Sequence, residues 1–328
     1  MPSQKKKKTE SKYESQNRGS TDGYSSYYNG MDKTMRQKVA LSSSYFPTTG
    51  RIADMGCGSG KGSFDLASLY SKAEVVGVDI SPESVKYCRE QHKRPNLSFE
   101  IGDVAKKLFP DGHFDGILNS SVLHHVTSFN DFNLEKIFEL FDNQTAMLSP
   151  GGILAVRDFV VPTGPKTVFL DLPNNDGSNI PPESEGEKKI PVADLSTAAL
   201  FELFARNFKC AAHRSGGIPF EKTEGEAGRT RYKLGLRPAT EFILRKDYRQ
   251  DWDVELLEEY LYFSQEQFET ESAKRGLRVL LSRPIYNPWI IANRWEGKIG
   301  LSDLNGRELP FPPTNYMFIA QKIPVDEG

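Results

Sequence analysis

The sequence predicts an α/β fold, doubly wound, with a mostly parallel seven-stranded sheet, helices on both faces and a large lid-like insertion. Two observations carry this prediction. Short apolar strands alternate with helical segments between residues 51 and 160, and a glycine-rich turn joins the first strand directly to the first helix. Strands that alternate with helices form parallel sheets whose two faces are both covered.

Local patterns place each element of the predicted sheet. The apolar strands are expected at residues 51–55, 74–79, 97–101, 114–119 and 153–160, and later at 276–281 and 316–320. Helices are expected at 31–43, 63–70, 133–147, 196–208 and 264–275, and another begins at Ser81-Pro82-Glu83. Ser81 suits a helix cap, Pro82 the first turn, and Glu83 the positive end of the helix.

Composition excludes several classes of protein. The chain has 328 residues with 38% hydrophobic and 26% charged side chains, which is typical of a globular protein. No apolar run approaches the roughly 20 residues that span a bilayer, and no secretory signal is recognised. Cys57, Cys88 and Cys210 are too far apart for a disulfide scaffold or a cysteine-cluster zinc site. We therefore expect a cytoplasmic protein without a membrane partner or a bound metal.

Changes in composition predict the domain organisation. Residues 1–23 are expected to be a disordered basic tail, because they are polar and rich in lysine. The core is expected at 24–162 and 256–328, interrupted by an insertion at 163–255 that forms a substrate lid and by a smaller one at 287–313. Within the large insertion, residues 163–190 and 214–237 show no periodicity and are expected to be irregular.

The most informative segment is Asp54-Met55-Gly56-Cys57-Gly58-Ser59-Gly60, which follows a strand and precedes a helix. Alternate glycines let a ligand approach the backbone, and the helix start offers free N–H groups. The spacing excludes the dinucleotide pattern G-x-G-x-x-G, because Lys61 and Ser63 occupy the positions that need glycine, and it excludes the phosphate loop. The spacing acid-x-G-x-G-x-G resembles that of the class I S-adenosylmethionine-dependent methyltransferases, which have a Rossmann-like fold.

The resemblance covers about 40–162 and 260–323 and implies S-adenosyl-L-methionine as the cofactor. It implies that Asp79, at the end of the second strand, accepts both ribose hydroxyls. It also places Asp103 at the adenine and Asn119 near the methionine part. The complete set of expected cofactor-binding residues is Tyr28, Asp54, Gly56, Cys57, Gly58, Gly60, Asp79, Ile80, Asp103, Val104 and Asn119.

Candidate catalytic residues follow the fourth and fifth strands. Methyl transfer from a sulfonium is an in-line displacement, so the protein must align the acceptor and manage its proton. Leu123-His124-His125-Val126 resembles the Leu-His-Asp-Trp stretch that carries the base of plant-type O-methyltransferases, although His-Val replaces Asp-Trp. His124 and His125 are therefore candidates for the base, with helix packing as the alternative.

The end of the fifth strand adds a third candidate. Arg157-Asp158-Phe159 resembles an Arg-Asp-Tyr stretch of the RNA 3-methylcytidine methyltransferases. Asp158 is expected either to orient the acceptor or to form a buried ion pair at the strand end.

Three functions remain open at this stage. The first is methylation of a small-molecule O, N or C acceptor, and an anionic acceptor would suit the cations of the insertion. These cations are Lys222, Arg229, Arg231, Lys233, Arg237, Arg245, Lys246 and Arg249, and a solvated face with local ion pairs is the alternative. The second function is methylation of RNA, favoured by the lysine tail. The third is a non-catalytic partner that only binds the cofactor.

The aromatic stretch 286–295 is expected to be a lid, a packing segment or a dimer contact.

Overall fold

A computed structural model describes residues 39, 41–42, 44–179, 190–226 and 228–324. The predicted basic tail, Tyr28 and most of the predicted helix at 31–43 lie outside these residues. The strands are β1 Thr49–Met55, β2 Lys72–Asp79, β3 Leu97–Ile101, β4 Phe114–Ser120, β5 Leu148–Asp158, β6 Thr167–Pro173, β7 Glu221–Glu224, β8 Arg229–Gly235, β9 Leu277–Ile285, β10 Gly300–Ser302 and β11 Asn315–Lys322.

The α-helices are α1 Lys61–Leu69, α2 Pro82–Gln91, α3 Leu123–Ser128, α4 Glu135–Met147, α5 Thr197–Asn207, α6 Leu236–Arg245, α7 Trp252–Glu255, α8 Gln265–Ala273 and α9 Pro288–Ile290. Two 3-10 turns lie at Val192–Asp194 and Arg249–Asp251, and a π-helix at Ile291–Trp295 continues α9. In the described part of the chain, no helix is long and apolar enough to cross a membrane.

Seven strands form the main sheet in the order β3-β2-β1-β4-β5-β11-β9. The pairs among β1 to β5 are parallel, whereas β11 runs antiparallel to both β5 and β9. This architecture confirms the predicted fold class. Because the parallel strands end at one edge, the segments that follow β1, β2, β4 and β5 meet there, which is where open α/β sheets bind ligands.

Hydrophobic clusters cover both faces of the main sheet. Leu140 and Phe268 belong to the cluster on one face, and Ile52 and Leu66 belong to the cluster on the other. All four side chains are fully buried. Neighbouring strand residues such as Ile52 and Ala53 point to opposite faces, so the strands must be apolar throughout.

The two insertions form one structural unit, which we call the insertion unit. Its antiparallel sheet has the order β10-β6-β8-β7, so β10 of the smaller insertion pairs with β6 of the larger one. The prediction that 163–190 and 214–237 are irregular is wrong where β6, β7 and β8 form. Val168, Leu170 and Leu172 do alternate with less buried residues along β6, but prolines and glycines around the strand obscured this period of two.

A separate hydrophobic core stabilises the insertion unit. Phe201, Phe204 and Phe242 pack together within it, and the smaller insertion contributes Trp295, which is 2% exposed. The aromatic stretch therefore divides into two parts, because Trp295 is a packing residue whereas Trp289 is 60% exposed.

Candidate functional site

The glycine loop between β1 and α1 folds back onto the end of β2. The amides of Gly56 and Cys57 donate hydrogen bonds to the carbonyl of Val78 at 2.8 and 2.9 Å. Gly56 and Gly60 have positive φ angles of 77° and 74°. A Cβ on Gly56 would approach the Val122 side chain to 2.5 Å, so this position requires glycine. The loop therefore contacts the segment that leads into α3.

Asp79 holds the glycine loop in place by a hydrogen bond. Its Oδ2 accepts a hydrogen bond from the amide of Gly58 at 2.9 Å, and its Oδ1 accepts one from Ser81 at 2.9 Å. Burial raises the pKa of Asp79, although the backbone N–H donors of Ser81 and Gly58 oppose this shift. Each carboxylate oxygen has a further lone pair, so Asp79 can hold the loop and still accept ribose hydroxyls. Ile80 follows it directly in the turn before α2.

Asp54, at the end of β1, is an almost fully buried acid. Its Oδ2 accepts a hydrogen bond from the Ser63 hydroxyl at 2.7 Å. Burial raises the pKa of Asp54 to about 6, the Ser63 hydrogen bond lowers it, and the charge of Asp79 raises it further. A carboxyl group in this position favours a cationic ligand, such as one carrying a sulfonium and an ammonium group.

We expect the stability difference between the Asp54→Asn variant and the wild type to depend on pH. The carboxyl of Asp54 has an ordinary pKa of 3.8 and a folded pKa of about 6, so its protonated form contributes stability that is present below pH 3.8. That contribution is lost as the pH rises through 6. Asparagine stays neutral, so the variant should become more stable than the wild type by about 3 kcal/mol above pH 7. Urea unfolding of both proteins from pH 4 to 7.5 measures the difference, and a difference that stays constant over this range would refute the assignment.

The residues expected to contact the adenine and the methionine part of the cofactor differ in their surroundings. Asp103 lies in a turn after β3, where its Oδ1 accepts a hydrogen bond from Ala105, and Val104 beside it is buried. Asn119 is fully buried, and its side chain forms a reciprocal pair with Gln144 of α4 at 2.7 and 3.0 Å. Both polar atoms of the Asn119 side chain are thereby bonded to α4.

His124 and Asp158 form a buried pair at the ends of β4 and β5. His124 Nδ1 lies 2.7 Å from Asp158 Oδ1. Asp158 Oδ2 accepts hydrogen bonds from the amides of Leu123 and His124 at 2.9 and 3.2 Å, so the same carboxylate also caps the start of α3. The sequence had placed both residues among the catalytic candidates without indicating that they meet.

The alternative interpretation, a buried ion pair at the strand end, corresponds to the contact between Asp158 and the His124 ring when that ring is protonated. Arg157 next to it donates to the Ser121 hydroxyl at 3.3 Å. Burial lowers the pKa of Arg157 to about 10, and the charge of Asp158 opposes that shift. The two carboxylate oxygens of Asp158 instead contact the start of α3, at His124 Nδ1 and at the amides of Leu123 and His124.

Glu258 is a site residue that sequence reasoning missed. It lies in the segment that follows α7 and is 2% exposed. Its Oε2 lies 3.7 Å from His125 Nε2 and 4.0 Å from His124 Nε2. In the sequence, Glu258 stands beside Glu259 in a charged stretch that is typical of a solvated surface, so no local signal marks it.

The acidic residues around His124 raise its pKa. Burial by itself lowers the pKa of His124, but the charge and hydrogen bond of Asp158, followed by the charges of Glu258 and Glu255, outweigh burial. The net pKa of His124 is therefore above its ordinary value. This cluster of buried carboxylates makes the region attractive to any cation.

Most of the eight cations named in the sequence analysis have acidic partners close by. This supports the alternative of a face with local ion pairs. The ion pairs are Lys222–Glu202, Arg231–Asp171, Lys233–Glu221, Arg237–Glu259 and Arg245–Glu241. Arg245 and Glu241 are fully buried within α6. They form a structural pair and not a grip for an anionic acceptor.

Comparison with known proteins gives matches to methyltransferases over part of the chain. Residues 49–195 match the sequence profile of the family described as "Methyltransferase domain". A fatty-acid O-methyltransferase from Mycolicibacterium smegmatis is 32% identical over 109 residues, which is 33% of this chain and 36% of the relative. Phosphoethanolamine N-methyltransferase 3 from Arabidopsis thaliana is 29% identical over 124 residues, 37% of this chain and 23% of the relative.

These matches span little more than a third of the relatives' own length at most. Among solved structures, a SAM-dependent methyltransferase from Methanosarcina mazei aligns over 86% of this chain and 97% of its own, with 15% identity and a TM-score of 0.45.

Proposed function

Since residues 49–195 of this chain are a class I S-adenosylmethionine-dependent methyltransferase domain, we propose that the protein methylates a small-molecule acceptor. The observation that carries this proposal is the meeting of two groups of residues at one sheet edge. The glycine loop held by Asp79 contacts Val122, and Val122 leads directly into the helix that bears His124. A methyl donor and an acceptor site are thereby adjacent.

S-adenosyl-L-methionine is the cofactor, and it supplies an electrophilic methyl carbon on a sulfonium. We assign the ribose hydroxyls to Asp79, the adenine to Asp103 and Val104, and the cationic methionine part to the acidic end of β1 at Asp54. The loop residues Gly56, Cys57, Gly58 and Gly60 let the cofactor approach the backbone. Tyr28 lies outside the described residues and stays a prediction from the family resemblance.

The transfer itself is one displacement. An acceptor heteroatom forms a bond to the methyl carbon while the carbon–sulfur bond breaks, and the electron pair of that bond goes to sulfur. The sulfonium becomes a neutral thioether, and the proton that an acceptor hydroxyl or ammonium loses passes to a base of the site or to water. We assign the handling of the acceptor to His124, His125 and Asp158, since they lie at the carboxyl ends of β4 and β5.

The insertion unit supports a small acceptor. Phe159, directly after β5, stacks on Tyr260 with ring centroids 4.2 Å apart, and His124 meets both rings edge-on. α6 of the insertion unit holds the segment around Tyr260, because Arg245 donates to the carbonyl of Glu258. We propose that the unit covers the acceptor as a lid, since a closed site excludes water from the transfer.

Product analysis tests the proposed function. The full chain is incubated with methyl-labelled cofactor and, separately, with a small-molecule extract, a fatty acid, phosphoethanolamine and total RNA. We expect S-adenosylhomocysteine to form with the extract and label to appear in a small molecule. Label in RNA alone would favour the RNA methyltransferase alternative. Cofactor binding without turnover in any pool would favour the non-catalytic alternative, and the absence of cofactor binding would reject the methyltransferase assignment itself.

A further inference from the structure

Three side chains beside the proposed acceptor site have the composition of a metal centre. In the described part of the chain, His124, His125 and Glu258 each present one ligand atom, and these atoms all lie within 4.8 Å of one another. Zn²⁺ with bonds of about 2.1 Å to nitrogen and oxygen places tetrahedral ligand atoms about 3.4 Å apart. The separations of 3.7 and 4.0 Å from Glu258 Oε2 to the two Nε2 atoms are close to this geometry.

The orientation of His124 is the second observation. Its Nδ1 lies 2.7 Å from Asp158 Oδ1, so in the neutral imidazole the Nδ1 proton is donated to that carboxylate and Nε2 presents its lone pair toward Glu258. Metal-binding histidines commonly donate their second ring nitrogen to a carboxylate, which fixes the tautomer and strengthens the ligand.

Glu258 is held in place by the insertion unit. Glu241 of α6 accepts hydrogen bonds from the amides of Tyr260 and Leu261 at 3.3 and 2.8 Å, and Arg245 donates to the carbonyl of Glu258 at 2.7 Å. These contacts fix the backbone that carries the Glu258 carboxylate.

The local charge also favours a cation. Asp158, Glu255 and Glu258 are all buried. The neighbouring acids Glu241 and Glu259 have guanidinium partners, in Arg245 and Arg237. Glu258 faces two imidazoles, which are neutral ligands of a metal ion when deprotonated.

We propose that His124, His125 and Glu258 bind one divalent ion of the Zn²⁺ type, with a coordination position left open toward His125. The side chain of His125 is 22% exposed, whereas those of His124 and Glu258 are 4% and 2% exposed, so the open side is the one that a ligand can reach. Two imidazoles and one carboxylate form a set that Zn²⁺ uses in catalytic sites, whereas Mg²⁺ prefers oxygen ligands.

The role of this ion rests on the proposed function. An ion here lies at the end of β4, beside the cofactor loop, and would act as a Lewis acid on an acceptor oxygen. An acceptor with a hydroxyl or carboxyl oxygen fits this role, because such an oxygen can occupy the open position of the ion.

Zn²⁺ titration of the full chain, first stripped with a chelator, tests the site. We expect one equivalent to bind in calorimetry, and one equivalent of Co²⁺ to give the visible bands of a four- or five-coordinate ion. Glu258→Gln and His125→Asn should each weaken Zn²⁺ binding by about a hundredfold or more, since removal of a ligand should cost at least as much as loss of an outer partner. Glu259→Gln, which changes the adjacent buried carboxylate, should bind Zn²⁺ as the wild type does.

Two results would overturn the proposal: stripped, folded wild type that binds no Zn²⁺, or Zn²⁺ binding that is unchanged in both Glu258→Gln and His125→Asn. Circular dichroism and S-adenosylhomocysteine binding by the metal-free variants confirm that each is folded. The two proposals fail separately. Loss of cofactor binding by metal-free wild type would reject the methyltransferase function, and the Zn²⁺ titration would still report on the metal site.

Discussion

Replacing Asp79 with alanine should weaken binding of S-adenosylhomocysteine by about ten- to a few hundredfold, because charge-assisted hydrogen bonds are lost. The family resemblance implies a ribose contact, and the structure adds a second reason why binding should weaken. Asp79 accepts hydrogen bonds from the amides of Gly58 and Ser81. The alanine variant therefore loses the anchor of the glycine loop as well as the acceptor for the ribose.

Isothermal titration calorimetry measures this effect, and the chain offers a matched control. Asp115 also accepts hydrogen bonds, from the amide of Arg51 and the hydroxyl of Ser149, but it lies at the amino ends of β1 and β4. Asp115→Ala should therefore keep wild-type affinity for the cofactor product. If folded Asp79→Ala bound it as tightly as Asp115→Ala does, the cofactor assignment would be wrong.

Replacing Asp158 with alanine should lower the free energy of unfolding by about 3–5 kcal/mol, as expected when one partner of a buried charged pair is removed. Asp158 is fully buried and accepts hydrogen bonds from the amides of Leu123, His124 and Phe159, in addition to its contact with the His124 ring. Alanine leaves these donors buried without an acceptor. The rate of methyl transfer should also fall in this variant, because His124 loses the contact that orients its ring.

Urea unfolding at pH 7.5 measures the loss, with Tyr262→Phe as the control. The Tyr262 hydroxyl lies 3.5 Å from Asp158 Oδ2, at the limit of a hydrogen bond. Its removal should cost less than about 1 kcal/mol. A destabilisation by Asp158→Ala no larger than that of Tyr262→Phe would show that the carboxylate does not organise α3.

The positions of the glycine loop and Asp79 could be predicted because their signals are local. The glycine loop and Asp79 stand at the ends of β1 and β2, and strand ends of a parallel sheet meet at one edge. Apolar runs of five to eight residues identify buried strands, and alternation with helices determines their direction. The comparison in which residues 49–195 match a methyltransferase domain agrees with that reasoning.

The acceptor side could be predicted only in part. His124 and Asp158 were candidates from their positions, but 34 residues separate them, and their hydrogen bond depends on how α3 docks beside β5. The reciprocal pair of Asn119 and Gln144 shows the same limit, because its partners lie 25 residues apart in the chain.

The sequence by itself determined the fold class and the positions of the glycine loop and the strand-end acids, since each depends on the spacing of neighbouring residues. Tertiary structure alone decided that two insertions pair through β6 and β10 into one unit with its own core. It also decided that Glu258 faces His124 and His125. Such contacts join segments that are far apart in the chain, and they form because hydrophobic burial and hydrogen bonding in the insertion unit position the backbone. Neither the composition nor the periodicity of one segment contains that information.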